Sequence, residues 1–256
     1  MVVTIDVGNS NVVVVVYDDQ GEIVYQLRDE TVKNGSFEMF KQYLKRVQVA
    51  LPSACQAVVL ASVVPSITKH MKAAVVEVFD MRPLCVNAEN VPELKIHLDN
   101  PNELGADFIA SAYGAIAKKM VPAIIADMGS ATKLSVVGED YQFLGGVIIP
   151  GIGISSAALV QFIPHLPAIE LQLPQNIIGH DTISSMQSGL LYGVIGSIEG
   201  IARRIELQLK QPHYKILTGG YANIVHGQTE GFVFEPNLVN DGLYYLYKEK
   251  KVNYEC

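Results

Sequence analysis

Val3-Thr4-Ile5-Asp6-Val7-Gly8-Asn9-Ser10-Asn11 has a near copy in Ile124-Ile125-Ala126-Asp127-Met128-Gly129-Ser130-Ala131-Thr132, about half the chain later. Each segment is an apolar run, an Asp, an apolar residue, a Gly and small polar residues. A second apolar stretch follows each one, Val12 to Tyr17 and Leu134 to Val137, and turn residues close both, Asp18-Asp19-Gln20-Gly21 and Gly138-Glu139-Asp140. The pattern reads as strand, tight turn, strand, turn. A repeat at this spacing predicts duplicated half-structures whose two turns face each other and close on one ligand.

The turn chemistry points to an anion. Gly8 and Gly129 lack a side chain, so the backbone there can take unusual dihedral angles and bring its N–H groups close to a bulky phosphate. Asn9, Ser10, Asn11, Ser130 and Thr132 add donors, while Asp6 and Asp127, each at a strand end, could hold a cation or its water shell. Donors beside carboxylates describe a nucleotide phosphate with a metal ion. One Asp-x-Gly alone is an ordinary hairpin turn; two copies in the same strand context favour the phosphate.

The chain of 256 residues is long enough for two units, each with its own core. Its 49% hydrophobic content describes a well-packed globular protein with little disorder. A net charge of −7 argues against a binder of nucleic-acid backbone, which needs clustered Lys and Arg. Lys248-Glu249-Lys250-Lys251 is the densest basic group and reads as a solvated tail. Cys55, Cys85 and Cys256 are odd in number and widely spaced, so free thiols in a reducing compartment are expected. The six His residues include no pair at zinc-ligand spacing. No signal-peptide pattern opens the chain, and glycines and prolines break the uncharged stretch around Gly145 to Gly153, so a cytoplasmic protein without a membrane span is expected.

Strands are predicted at Val2–Asp6, Val12–Tyr17 and Glu22–Leu27, and a helix at Ser36–Val49, where Phe37, Phe40, Tyr43, Leu44 and Val47 recur at helical spacing behind a capping Ser36. The apolar run from Ala57 to Val64 is a buried strand, and a helix follows Pro65. Pro83 to Val86 is a short strand. The helix from Ala106 to Lys119 is rich in small residues, which permits close packing, and is expected to join two lobes, 1–117 and 118–256. The second lobe repeats the opening with strands at Ala123–Asp127, Lys133–Val137 and Gln142–Ile149. Helices are predicted at Gly153–Pro164, Thr182–Leu209 and Val239–Lys248, with a strand at Lys215–Thr218 ending in Gly219-Gly220. Gly151-Ile152-Gly153 lacks the third Gly and the context of a dinucleotide fingerprint, and no P-loop motif is present.

Taken together, these features resemble the type III pantothenate kinases, of the actin, hexokinase and Hsp70-like superfamily. The matches run nearly end to end: Asp6 to Ser10; Asn100-Pro101 with Gly105-Ala106-Asp107; Asp127 to Thr132; Gly145-Gly146 with Pro150-Gly151; Thr182 with Ser185 to Gly189; and Thr218-Gly219-Gly220. The resemblance implies an α/β protein of two related ribonuclease H-like, actin-like lobes, each a mixed sheet with flanking helices. It implies ATP-dependent phosphorylation of pantothenate, the first step towards coenzyme A, by a homodimer needing Mg²⁺ and a monovalent cation, K⁺ or NH₄⁺. Asp107 would be the general base. Asp6, Val7, Gly8, Asn9, Ser10, Asn11, Val12, Val13 and Ser130 would hold ATP, and Asp127 would sit at the monovalent cation. Gly105, Ala106, Asp107, Phe108 and Thr182 would line the acceptor.

Three positions depart from the family pattern. Phe108 stands where Arg usually follows Gly-Ala-Asp, Leu98 where a Tyr precedes Asn-Pro, and Lys133 where a hydroxyl residue ends the second phosphate motif. The nucleotide side thus reads as intact and the acceptor side as altered. Alternatives are a kinase of a less acidic hydroxyl compound and a non-catalytic nucleotide-binding homologue.

Overall fold

The computed structural model describes residues 1–91 and 93–249. The chain forms β1 (Val2–Val7), β2 (Asn11–Tyr17), β3 (Ile23–Glu30), α1 (Phe37–Val49), β4 (Ala57–Ser62), α2 (Pro65–Phe79), β5 (Leu84–Cys85), β6 (Lys95–Ile96), α3 (Ala106–Ala117), β7 (Ala123–Met128), β8 (Ala131–Gly138), β9 (Gln142–Pro150), α4 (Ile152–Phe162), α5 (Thr182–Leu209), β10 (Tyr214–Thr218), α6 (Ala222–Val225), β11 (Phe232–Phe234) and α7 (Leu238–Lys248). Two compact units result. One contains Met1–Lys119, Tyr141–Phe143 and, among the described residues, 237–249; the other contains Met120–Asp140 and Leu144–Pro236.

In the first unit the strand order is β3-β2-β1-β4-β5. β1 runs antiparallel to β2 and parallel to β4, so the sheet is mixed. β1 and β4 read as nearly continuous apolar runs because both faces are covered. Val3, Ile5, Val7, Val14 and Leu60 meet Phe40, Leu44, Ile67 and Met71 of α1 and α2 on one face. On the other face Val13, Val15 and Tyr17 pack against Tyr244 of α7. The expected Ser36 cap is present, its hydroxyl accepting from the Met39 N–H.

The second unit repeats this plan as β9-β8-β7-β10-β11, while β6 pairs with Gln142 and Phe143 inside the first unit. β7 is again antiparallel to the next strand and parallel to the later one. Ile124, Ala126, Met128 and Leu134 bury against Leu191, Ile195 and Ile198 of α5. The duplication read from two short segments therefore extends to the topology of both sheets.

The cysteine expectation needs correction. Cys55 is a free thiol, but Cys85 is disulfide-bonded, and Cys256 lies outside the described residues, as do the last two of the four basic-tail residues. Widely spaced cysteines in sequence say nothing of which thiols the fold brings together. Among the described residues no helix is long and apolar enough to cross a membrane.

Candidate functional site

Asp6 is half-buried near the end of β1, and the turn after it is closed by the Gly8 N–H donating to the Asn11 carbonyl at 2.9 Å. Thr31, just beyond β3, clamps this turn: its hydroxyl donates to the Gly8 carbonyl at 2.7 Å and its N–H to that of Ser10 at 2.8 Å. Thr31 carries no motif, so sequence reading missed it. Asn9 and Ser10 are exposed on the turn. The side chains of Val12 and Val13 point into the apolar clusters on either face of the sheet.

The acceptor motif meets the same end of the same sheet. The Val63 N–H, just past β4, donates to the Val7 carbonyl at 3.0 Å, tying the end of β4 to the turn after β1. A Cβ added to Gly105 would stand 3.5 Å from Val63 Cγ1 and only 2.6 Å from Asp107 Oδ1. With no side chain at Gly105, the Asp107 carboxylate rests against its backbone; Asp107 sits half-buried in the first turn of α3 and accepts from the Phe108 N–H at 2.9 Å. Asp6, Gly8, Gly105 and Asp107 thus gather at the carboxyl ends of β1 and β4, where open α/β sheets take their ligands. Ala106 is buried, and the Phe108 ring lies edge-on to Phe143 with centroids 5.9 Å apart. Asn100 caps a single 3-10 turn at Pro101–Glu103 just before this motif. Leu98 is half-buried.

The second unit assembles its own set. The turn after β7 is closed by Gly129 N–H to the Ala131 carbonyl at 3.2 Å. A Cβ on Gly151 would come within 2.1 Å of the Ser130 carbonyl, and one on Gly219 within 2.4 Å of Asp127 Oδ1. Three motifs far apart in sequence, Asp127 to Ser130, Pro150-Gly151 and Thr218-Gly219, therefore press backbone to backbone around one turn. Thr182 opens α5 and is exposed, behind the capping pair of Asp181 and Ser184. The strained conformation expected at Gly8 and Gly129 is absent from both; Gly219, at φ +95°, carries it.

Asp127 and Lys133 face each other across β7 and β8, and Lys133 Nζ lies 2.9 Å from Asp127 Oδ2. Asp127 therefore does not fit a resident monovalent cation, because an ammonium already occupies that oxygen. Asp6 faces Val13 at the matching register position. As a hard oxygen ligand it suits Mg²⁺, which binds through one or two carboxylates, substrate phosphates and water. Among the described residues no group of three or more His, Cys, Asp or Glu could hold a metal by itself.

Solved structures with the same fold cover nearly the whole chain. A protein described as a Baf family transcriptional activator from Campylobacter jejuni superposes with a TM-score of 0.60 at 17% identity, over 97% of this chain and 98% of that one. The ethanolamine utilization protein EutJ from Carboxydothermus hydrogenoformans gives a TM-score of 0.56 at 17% identity, over 96% and 89%. The activator of 2-hydroxyisocaproyl-CoA dehydratase from Clostridium difficile, solved with bound ADPNP, gives 0.53 at 13% identity, over 100% and 99%. These likenesses make the fold that of the actin-like ATPases: two mixed sheets with flanking helices. The model of the type III pantothenate kinases matches residues 2–204, and the chain belongs to that family.

Proposed function

We propose that this protein transfers the γ-phosphoryl group of ATP to the primary hydroxyl of pantothenate. One observation carries the reading: the Asp107 carboxylate lies against Gly105 at the sheet end that also holds the Asp6–Gly8 turn. Asp107 accepts the hydroxyl proton as the acceptor oxygen bonds to phosphorus and the bond to the β-phosphate oxygen breaks. Backbone N–H groups and the polar side chains of Asn9, Ser10, Asn11 and Ser130 hold the phosphates, and Thr182 orients the acceptor. Asp6 would hold Mg²⁺, which when bound would supply neutralisation of phosphate charge. Because this chemistry depends chiefly on in-line positioning and electrostatics, the turns carry more of the rate than the base.

Coupled ADP release with ATP, Mg²⁺ and pantothenate tests the proposal, and no turnover above background overturns it. The same reading makes the protein a homodimer, which light scattering in solution checks.

A second reading rests on Phe108. Its ring is engaged edge-to-face with Phe143, so this position offers an apolar surface where an acidic acceptor would want a cation. Leaving a carboxylate unpaired there costs its desolvation. A less acidic hydroxyl compound fits this surface better, and a metabolite panel in which pantothenate is the best acceptor rules that compound class out.

A further inference from the structure

We propose that the Lys133 ammonium is a built-in monovalent cation for the second phosphate turn, so that nucleotide binding by this chain requires neither K⁺ nor NH₄⁺. The inference rests on the nucleotide-site reading above and on the failure of Asp127 to fit a free cation.

The register between β7 and β8 sets Lys133 directly opposite Asp127, on the same face of the sheet. Their charged atoms are 2.9 Å apart, and the side chains are only 16% and 20% exposed. Salt screens a pair in such a setting far less than an exposed one. The other carboxylate oxygen, Oδ1, looks onto backbone: a Cβ at Gly219 would lie 2.4 Å from it and one at Gly129 3.7 Å. The carboxylate is thus held between the ammonium and the glycine turn that receives phosphate. At the matching position of the first unit, β2 offers Val13 to Asp6. The two turns are therefore built from one plan, with Lys133 of β8 at the register position that Val13 holds in β2.

Lys⁺ and K⁺ carry the same charge, so an ion arriving at Asp127 would meet the Lys133 ammonium at close range and be repelled. A tethered cation also has no translational freedom to lose and stands at a high effective concentration beside its carboxylate. Removing it strands a half-buried carboxylate that wants a counter-ion. Lys133→Ser should therefore open a cation site that the native chain lacks.

The experiment measures ATP affinity of the full chain in choline chloride against KCl at constant ionic strength, for the native protein, Lys133→Ser and Lys133→Arg. The native protein and Lys133→Arg are expected to bind equally in both salts. Lys133→Ser should bind about tenfold more weakly in choline and recover in KCl, the loss matching one charge-assisted contact. Lys133→Arg guards against misreading a folding defect. Native affinity that rises with K⁺, or a Lys133→Ser defect that K⁺ leaves unchanged, overturns the proposal. If no form binds ATP, the nucleotide reading fails, and Tl⁺ binding followed by thallium NMR decides the cation question alone. Tl⁺ bound by Lys133→Ser and not by the native protein upholds the built-in cation; any other pattern sinks it.

Discussion

Gly129 and Gly219 flank one carboxylate yet tolerate a methyl group very differently. At Gly129 a Cβ would make only ordinary contacts, 3.6 Å and beyond, whereas at Gly219 it would clash with Asp127 and with the Met128 backbone while φ is +95°. Gly129→Ala should therefore leave stability within about 1 kcal/mol of native. If phosphate packs against the bare Gly129 backbone, the added methyl group blocks its approach and weakens ATP binding by about tenfold or more. Gly219→Ala should cost about 1–3 kcal/mol in thermal unfolding as well. Calorimetric titration beside a melting curve separates the two. Asp107→Asn is expected to lower turnover by about 10²- to 10⁴-fold with ATP binding kept. Thr132 is fully buried and its hydroxyl has no partner, so Thr132→Val should raise stability by about 1 kcal/mol. At this scale the sequence was legible where a residue acts on its own neighbours, as for Ser36, whose hydroxyl caps α1 as expected. It was not legible where partnership decides: Thr31 clamps Gly8, and Lys133 meets Asp127 only through strand register.

Helices α3 and α7 show how an element's partner escapes sequence reading. The small residues of α3 announced a close neighbour, but its identity depends on a helix more than a hundred residues later. A Cβ on Gly242 would come within 1.8 Å of the Ala110 carbonyl, and one on Gly114 within 2.2 Å of the Leu238 carbonyl. Alanine usually stabilises a helix relative to glycine by about 1 kcal/mol. Here the helices must part, so Gly242→Ala should instead destabilise by about 1–3 kcal/mol in denaturant titration. Tyr17 fixes α7 to β2: its hydroxyl donates to Asp241 at 2.6 Å, its ring stacks on Tyr244, and Lys118 holds the other Asp241 oxygen at 3.0 Å. Burial, then the Asp241 charge, raises the Tyr17 pKa well above 10.0. The folded phenol keeps its proton when the unfolded one loses it, so this stabilisation is complete below about pH 10 and fades above it. Tyr17→Phe should flatten that alkaline loss in pH-dependent melting. Strands β6 and β11 and helix α6 were missed because two to four residues carry no period to read.

At the scale of the molecule, the repeat of Asp6 and Asp127 foretold two sheets of one topology, because buried central strands impose apolar runs that survive in both copies. The expectation did not include a unit assembled from the beginning and the end of the chain. Residues 238–248 left no mark of their destination, since an amphipathic helix states which face is apolar and not which sheet it covers. Cutting the chain after Pro236 should therefore expose the β2 face beneath α7 and make the first unit protease-sensitive, readable as early cleavage on a gel.

The Asn240 side chain donates to the Thr4 hydroxyl at 3.0 Å inside the first unit, across 236 positions. During synthesis the earliest strand thus emerges long before the helix that roofs it. The nascent first unit must wait, with apolar surface bare, until residues 238–248 have also been made. Such a chain gains little from folding in order of emergence, and its bare apolar surface is open to aggregation in the interval.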